Sequence, residues 1–258
     1  MKGFLKSVGL GFSLTHRLWF AILFVAFVLS AIARVILSTL PHQITPQGIQ
    51  VPEVTQLSQA LETGGKALFL YLVSFGSSLF CLGGIVNSAW AILRREAVSL
   101  RRFLAGAARW FFPIVGWSIS FFLLSIGPGI ALGLVLAAGV MRTEGSDPLA
   151  LASAFQVGVA GVFLLFLIPL VYSPIVLVGR EGGVWKSFGG GLRFFMSRPA
   201  GNIGVLSVAV GVGLLTRGVH LLFLGIPLLR FLEALPGAYL TVFFPCLLCA
   251  YYHTETVP

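Results

Sequence analysis

The chain has 258 residues, 57% of them hydrophobic and only 10% charged, with a mean hydropathy of +0.99. A water-soluble fold needs far more polar surface, so the composition excludes a soluble enzyme or binding domain and points to a chain embedded in a bilayer. The formal charge is +9, from 17 Lys and Arg against 8 Asp and Glu. Three cysteines, all in apolar runs, exclude a secreted disulfide framework.

In chain order, a basic amphipathic stretch comes first, FLKSVGLGFSLTHRLWFAILF from Phe4, and runs into an apolar segment at 18–40. Basic residues ahead of an apolar run resemble a secretory leader, and Ala31-Ile32-Ala33 resembles its cleavage site. The stretch is itself the first copy of a repeat, however, and the expectation is that it is retained. A polar loop follows at 41–65, whose middle suits a short surface helix, and then a second apolar segment at 66–93. The second copy of the repeat, SLRRFLAGAARWFFPIVGWSI from Ser99, leads into a third segment at 110–140. After a tight turn at 142–148, with Asp147 suited to cap the next helix, comes the fourth, at 149–178. Both long segments carry proline, at Gly127-Pro128-Gly129 and at Pro169 and Pro174, and kinks or breaks are expected there. The third copy, VWKSFGGGLRFFMSRPAGNIG from Val184, leads into a fifth segment at 200–224, and a sixth follows at 236–252. Between these two, 225–236 reads as chain lying along the outer interface.

Each segment has roughly the 20 residues that a helical span requires. Aligned on Lys6, Arg101 and Lys186, the three copies share a glycine five residues on, at Gly11, Gly106 and Gly191. The predicted fold is therefore an all-α integral membrane protein: six transmembrane helices as three hairpins, each preceded by an amphipathic elbow helix. It forms a single domain over 1–258 with repeats at about 1–93, 94–178 and 179–258. In the second elbow Leu100, Phe103, Ala107 and Phe111 share a face; in the third, Trp185, Phe188, Leu192 and Phe195 do, with Lys186, Gly190 and Arg193 opposite. In the first, Phe4, Val8 and Phe12 oppose Lys2 and Lys6. This is the pattern of an interfacial helix. Gly189-Gly190-Gly191 suits a surface helix that bends or sits close to the bundle, and Gly201, Gly204 and Gly211 suggest a close-contact ridge, packed internally or against a second copy.

Twelve of the 17 Lys and Arg fall on the side of the elbows, with only Glu96, Glu181 and Glu255 there. The other side is balanced, with Arg34, Lys66, Arg142, Arg217 and Arg230 against five acids. Basic residues gather on the cytoplasmic side, so both termini are expected there.

Chemistry is scarce. No Asp or Glu lies within the hydrocarbon depth of a span, against a proton-coupled transporter or an aspartyl intramembrane protease. There is no HExxH metal helix or GxSxG elbow, and Gly182-Gly183-Val184-Trp185-Lys186-Ser187 fails as a phosphate loop because Trp185 stands where glycine must precede the lysine. Cys246, Cys249 and His253 share a helical face but have no fourth ligand nearby, so they read as packing residues, and no metal or cofactor is expected. The elbow aromatics face lipid and are not free to stack on bases, so no nucleic-acid partner is expected.

The sequences Glu96-Ala97-Val98-Ser99-Leu100-Arg101-Arg102-Phe103, leading to Trp110-Phe111-Phe112-Pro113, and Gly183-Val184-Trp185-Lys186-Ser187-Phe188, leading to Arg193-Phe194-Phe195, carry a resemblance. The chain resembles bacterial multi-span proteins that include the membrane domain attached to some glycerophosphodiester phosphodiesterases and the YciC-like and DUF975-like families. The resemblance implies a bundle of elbows and hairpins in the bacterial cytoplasmic (inner) membrane. In such phosphodiesterases the catalytic carboxylates lie on a separate soluble domain, so no activity carries over.

The functional expectation is a non-enzymatic accessory or scaffold that organises anionic lipid or docks a membrane-protein partner, a second copy included, on its basic face. The candidate residues are Lys6, Arg17, Arg95, Arg101, Arg102, Arg109, Lys186, Arg193 and Arg198. Arg217 and His220 form an outer pair suited to an anion. The alternative is a transporter or channel for a lipid-like or neutral solute.

Overall fold

Apolar runs of this length bury no backbone polarity in lipid unless they are helical, because only the intrahelical ladder satisfies every N–H and C=O there. The computed structural model describes residues 2–39, 54–144, 148–180, 182–224 and 234–256. Among them the chain is all α: α1 (Lys2–Arg17), α2 (Trp19–Thr39), α3 (Val54–Leu93), α4 (Leu100–Glu144), α5 (Pro148–Leu170), α6 (Ser173–Arg180), α7 (Val184–Ser197), α8 (Pro199–Leu224) and α9 (Ala234–Thr256). Four stretches of the described residues are long and apolar enough to cross a membrane: within α3, within α4, across α5 and α6, and within α9. The bent pairs α1–α2 and α7–α8 pass the same test, giving up to six. The protein is a multi-pass helical membrane protein. Parts of the expected 41–65 loop, the 142–148 turn with Asp147, and the 225–236 segment lie outside the described residues.

Two of the three amphipathic stretches are separate helices. α1 meets α2 at 68° and α7 meets α8 at 100°. Pro199 opens α8 and bars Arg198 from helical geometry, leaving it at φ −143°, ψ 55°. The Phe195 carbonyl, which would meet residue 199 in a continuous helix, accepts instead from Arg198 N at 3.3 Å and from Asn202 Nδ2 at 2.7 Å. The second stretch departs from expectation: it is no separate elbow but the opening of α4, a continuous helix of 45 residues. Its start is capped by Ser99, whose Oγ accepts from Arg102 N at 3.3 Å. It continues through Pro113, and one buried stripe, Phe103, Ala107, Trp110, Ile114, Trp117 and Phe121, runs past the proline at helical spacing.

The expected break at Gly127-Pro128-Gly129 is also absent, and α4 continues through it. The Ser125 hydroxyl donates to the Phe121 and Phe122 carbonyls in the turn before, and the nearby glycines serve packing instead. A Cβ on Gly133 would lie 2.7 Å from the Phe155 ring, and one on Gly158 would lie 2.6 Å from Gly133 Cα, so α4 and α5 approach backbone to backbone. The expected break near Pro169 and Pro174 does occur, as a turn at Val171 and Tyr172 between α5 and α6. At its other end α3 begins at Val54, twelve residues before the expected span, absorbing most of the polar stretch expected as a short surface helix.

The core centres on α9, which packs against α1, α2, α3 and α8. Cys246, Leu247, Leu248, Cys249, Ala250, Tyr251 and Tyr252 are all buried, so this helix is enclosed on every side near its C-terminus. The three repeat glycines occupy one kind of station. A Cβ on Gly11 would stand 3.0 Å from Leu247 Cα on α9, one on Gly106 would overlap the Asn87 side chain on α3, and one on Gly191 would stand 2.6 Å from Ser173 Oγ on α6. Each amphipathic stretch thus crosses a neighbouring helix at its glycine, where any side chain would hold the two apart. Gly201 and Gly204 likewise face Tyr251 and Phe4, whereas Gly211 meets nothing within 4 Å, so the expected ridge packs internally and stops short of it.

Candidate functional site

The basic residues sort by what holds them. Arg102 ion-pairs with Glu96 and donates to the Ala97 carbonyl at 3.0 Å. Arg198 ion-pairs with Glu255, tying the α7–α8 bend to the end of α9. Arg109 lies over the Trp110 ring, 5.3 Å from its centroid. Lys6, Arg17, Arg95, Arg101, Lys186 and Arg193 are exposed, and of these Arg17, Arg95, Arg101, Lys186 and Arg193 have no ion pair among the described residues. Arg217 and His220 lie on α8, with side chains outside the description.

Arg95 stands apart by its backbone. Glu96 N donates to Ala91 O and Arg95 N to Ile92 O, both at 2.9 Å, which is the paired-bond ending of a helix that normally places glycine in the left-handed position. Arg95 takes that position at φ +63°, the one positive φ among the described non-glycine residues. An unbranched side chain tolerates it at a cost of roughly 1 kcal/mol.

α7 shows how the amphipathic pattern resolves in three dimensions. Ser187, Phe188, Gly191 and Phe194 are buried. Trp185, Leu192 and Met196 are exposed, Trp185 and Met196 at 68%. Lys186 and Arg193 lie on the edge of this exposed apolar stripe. The sequence suggested one apolar face and one polar face; the helix in fact has a protein face made largely of small and aromatic residues, then an exposed apolar stripe, then a cationic one. Phe188 belongs to the first and Trp185 and Leu192 to the second. In α1 the protein face is centred on Ser7, Gly11, Leu14 and Thr15, with Phe4, Val8 and Phe12 only half-buried beside it.

A cluster that the sequence reading did not single out joins α3, α6 and α9, which touch one another. Trp90 Nε1 donates to the Ile175 carbonyl at 3.3 Å, and the Trp90 ring meets Tyr252 and His253 edge-on near 6 Å. Arg94 donates to the Gly179 carbonyl at 3.1 Å, and Arg180 lies over the Tyr252 ring. Cations here meet carbonyls near helix C-termini, where the helix dipole favours positive charge. A signal was present in the sequence, since carrying the repeat back by 85 residues aligns Arg95-Glu96 with Arg180-Glu181.

Cys246 and Cys249 are fully buried, and His253 packs against Trp90. Among the described residues no three His, Cys, Asp or Glu side chains are grouped to hold a metal. Among the described residues, clefts open between helices. One, of about 400 Å³, is formed by Leu124 of α4, Leu165, Phe166 and Leu170 of α5, and Phe188, Gly189 and Leu192 of α7. Another, of about 310 Å³, lies between α2, α3 and α4 and includes Phe24, Phe80, Cys81 and Phe111. The first is lined by apolar residues and glycine alone, and the second also carries Ser77. Comparison with protein-family models, with curated proteins and with solved structures finds no match to the chain.

Proposed function

We propose that this protein is a non-enzymatic scaffold of a bacterial cytoplasmic membrane, both termini cytoplasmic, that gathers anionic lipid or docks an acidic partner on its basic face. In this reading the chain is three repeats, each an amphipathic stretch followed by a helix out and a helix back. Each stretch packs on the returning helix of the repeat before it, and the first closes on the last. The three glycine crossings, α1 on α9, α4 on α3 and α7 on α6, support that ring. So do the contacts Trp90–Ile175 and Arg94–Gly179, each between residues 85 apart. Equivalent residues of two repeats can touch only beside the axis that relates them.

The observation that carries the functional reading is the set of exposed cations, without an ion pair among the described residues, bordering exposed apolar surface on α7 and at the start of α4. Each well-placed cation favours an anionic leaflet by roughly 1 kcal/mol. Six spans already anchor the chain, so this attraction is available to sort lipid or hold a partner.

The test is mass spectrometry of the protein released with its surrounding lipid, beside a variant with Arg95, Arg101, Lys186 and Arg193 changed to Gln. The parent is expected to retain an anionic lipid or an acidic partner, and the variant to lose most of it. Equal lipid content with no partner in either preparation would leave the basic face only the role of setting topology.

A further inference from the structure

We infer that the cleft between α4, α5 and α7 is a specific site for one anionic phospholipid, with an acyl chain in the cleft and the phosphate between Lys186 and Arg193. The inference rests on the scaffold reading and narrows it from a general basic face to one position.

Gly189 lines the cleft. Lys186 precedes it by three residues and Arg193 follows it by four, so both cations are its neighbours on the adjoining turns. They stand about 10 Å apart along the helix axis, on one flank of α7, before and after Gly189 in the chain. Both are exposed, and neither has an ion pair among the described residues. The lining is aliphatic and aromatic, with Leu124, Leu165, Phe166, Leu170, Phe188 and Leu192 and no charged side chain. A volume of about 400 Å³ lies within the range of small-molecule sites, roughly 300–1,000 Å³. An apolar slot opening beside two unpaired cations matches a ligand with a hydrocarbon tail and an anionic head. A neutral lipid would leave the cations unanswered, and a soluble anion would leave the slot unfilled.

The two halves of the site can be altered separately. A Cβ on Gly189 meets nothing within 4 Å, so Gly189→Leu fills the cleft without pressing on a neighbour. Gly127, also open, gives a matched control in Gly127→Leu on α4. The protein in nanodiscs would be exposed to phosphatidylglycerol bearing a photoreactive group on its acyl chain, and the crosslinked residues mapped. Labelling is expected on α5 and α7 at the cleft residues. Gly189→Leu should reduce it by more than tenfold, Lys186→Gln and Arg193→Gln by about fivefold each, and Gly127→Leu should leave it unchanged. A phosphatidylcholine probe should label weakly. Equal labelling by both probes, or cleft labelling indifferent to the two cation variants, would overturn the anionic-lipid assignment. Selective retention of phosphatidylglycerol with no labelling in the cleft would overturn this site but leave the scaffold reading standing. No selective retention at all would remove both.

Discussion

α4 and α9 are both long enough to cross a bilayer, and the more apolar of the two is the more exposed. In the most hydrophobic window of each, 22% of α4 is buried against 61% of α9. α9 carries Cys246, Cys249, Ala250 and two tyrosines in its enclosed half, whereas α4 turns Phe122, Leu123, Leu134 and Val135 outward. In a soluble protein this order would be reversed. Here the solvent is hydrocarbon: outward positions must be apolar, while inward positions are chosen for fit. The contrast is independent support for a membrane location, since exposed apolar surface on this scale has no place in water.

The largest expected effect tests the enclosed side. Phe243→Ala removes a fully buried ring that packs on Phe12 and Tyr239, and should cost about 3–5 kcal/mol of stability. Phe122→Ala on the exposed face of α4 should cost far less, and thermal unfolding in detergent compares the two. Equal losses would erase the distinction drawn between the helices.

A charge on the exposed side sharpens it further. Leu123 is 66% exposed, and Leu123→Lys would be nearly neutral if that face met water. Facing hydrocarbon, it should make insertion less favourable by about 2.5–3.5 kcal/mol near the span centre, measurable as the inserted fraction in a glycosylation-mapping assay.

Close approach gives the next effect. Gly11→Leu presses on the α9 backbone at Leu247, which cannot move aside as a side chain can. It should cost about 1–3 kcal/mol, whereas Gly127→Leu on α4, with open space around it, should change the melting temperature little. The smallest expected change is a gain: Arg95→Gly relieves the left-handed backbone at the end of α3 and should stabilise the fold by up to about 1 kcal/mol. If the same change lowers anionic-lipid retention, the strained arginine serves binding at the expense of stability.

How far the sequence could be read differs along the chain. The expected spans at 18–40 and 200–224 lie within a residue of α2 (Trp19–Thr39) and α8 (Pro199–Leu224), because the length of an apolar run is a local property. The amphipathic stretches were legible as such; the chain bends after the first and the third, before Trp19 and at Pro199, but runs unbroken from the second into α4. Gly127-Pro128-Gly129 misled, because whether a proline breaks a helix depends on what packs around it. At Pro199 the chain bends and Arg198 and Asn202 share the Phe195 carbonyl, while past Pro113 a buried stripe continues and α4 stays unbroken. The candidate cations were readable as a set, but not their division. That Arg102 and Arg198 are paired, while Lys186 and Arg193 have no ion pair among the described residues, depends on where Glu96 and Glu255 come to lie.

By itself, then, the sequence determined the helical class, the membrane as solvent, the approximate places of the apolar runs and the excess of positive charge, all of which follow from composition, hydropathy and spacing within a few turns. Only the tertiary structure decided which apolar face meets protein and which meets lipid, since both environments reward the same atoms. It also decided why glycine recurs at positions 11, 106 and 191. A periodic glycine in a sequence marks a place where something comes close, and the partner, α9, α3 or α6 in turn, is set by long-range packing that no local pattern encodes.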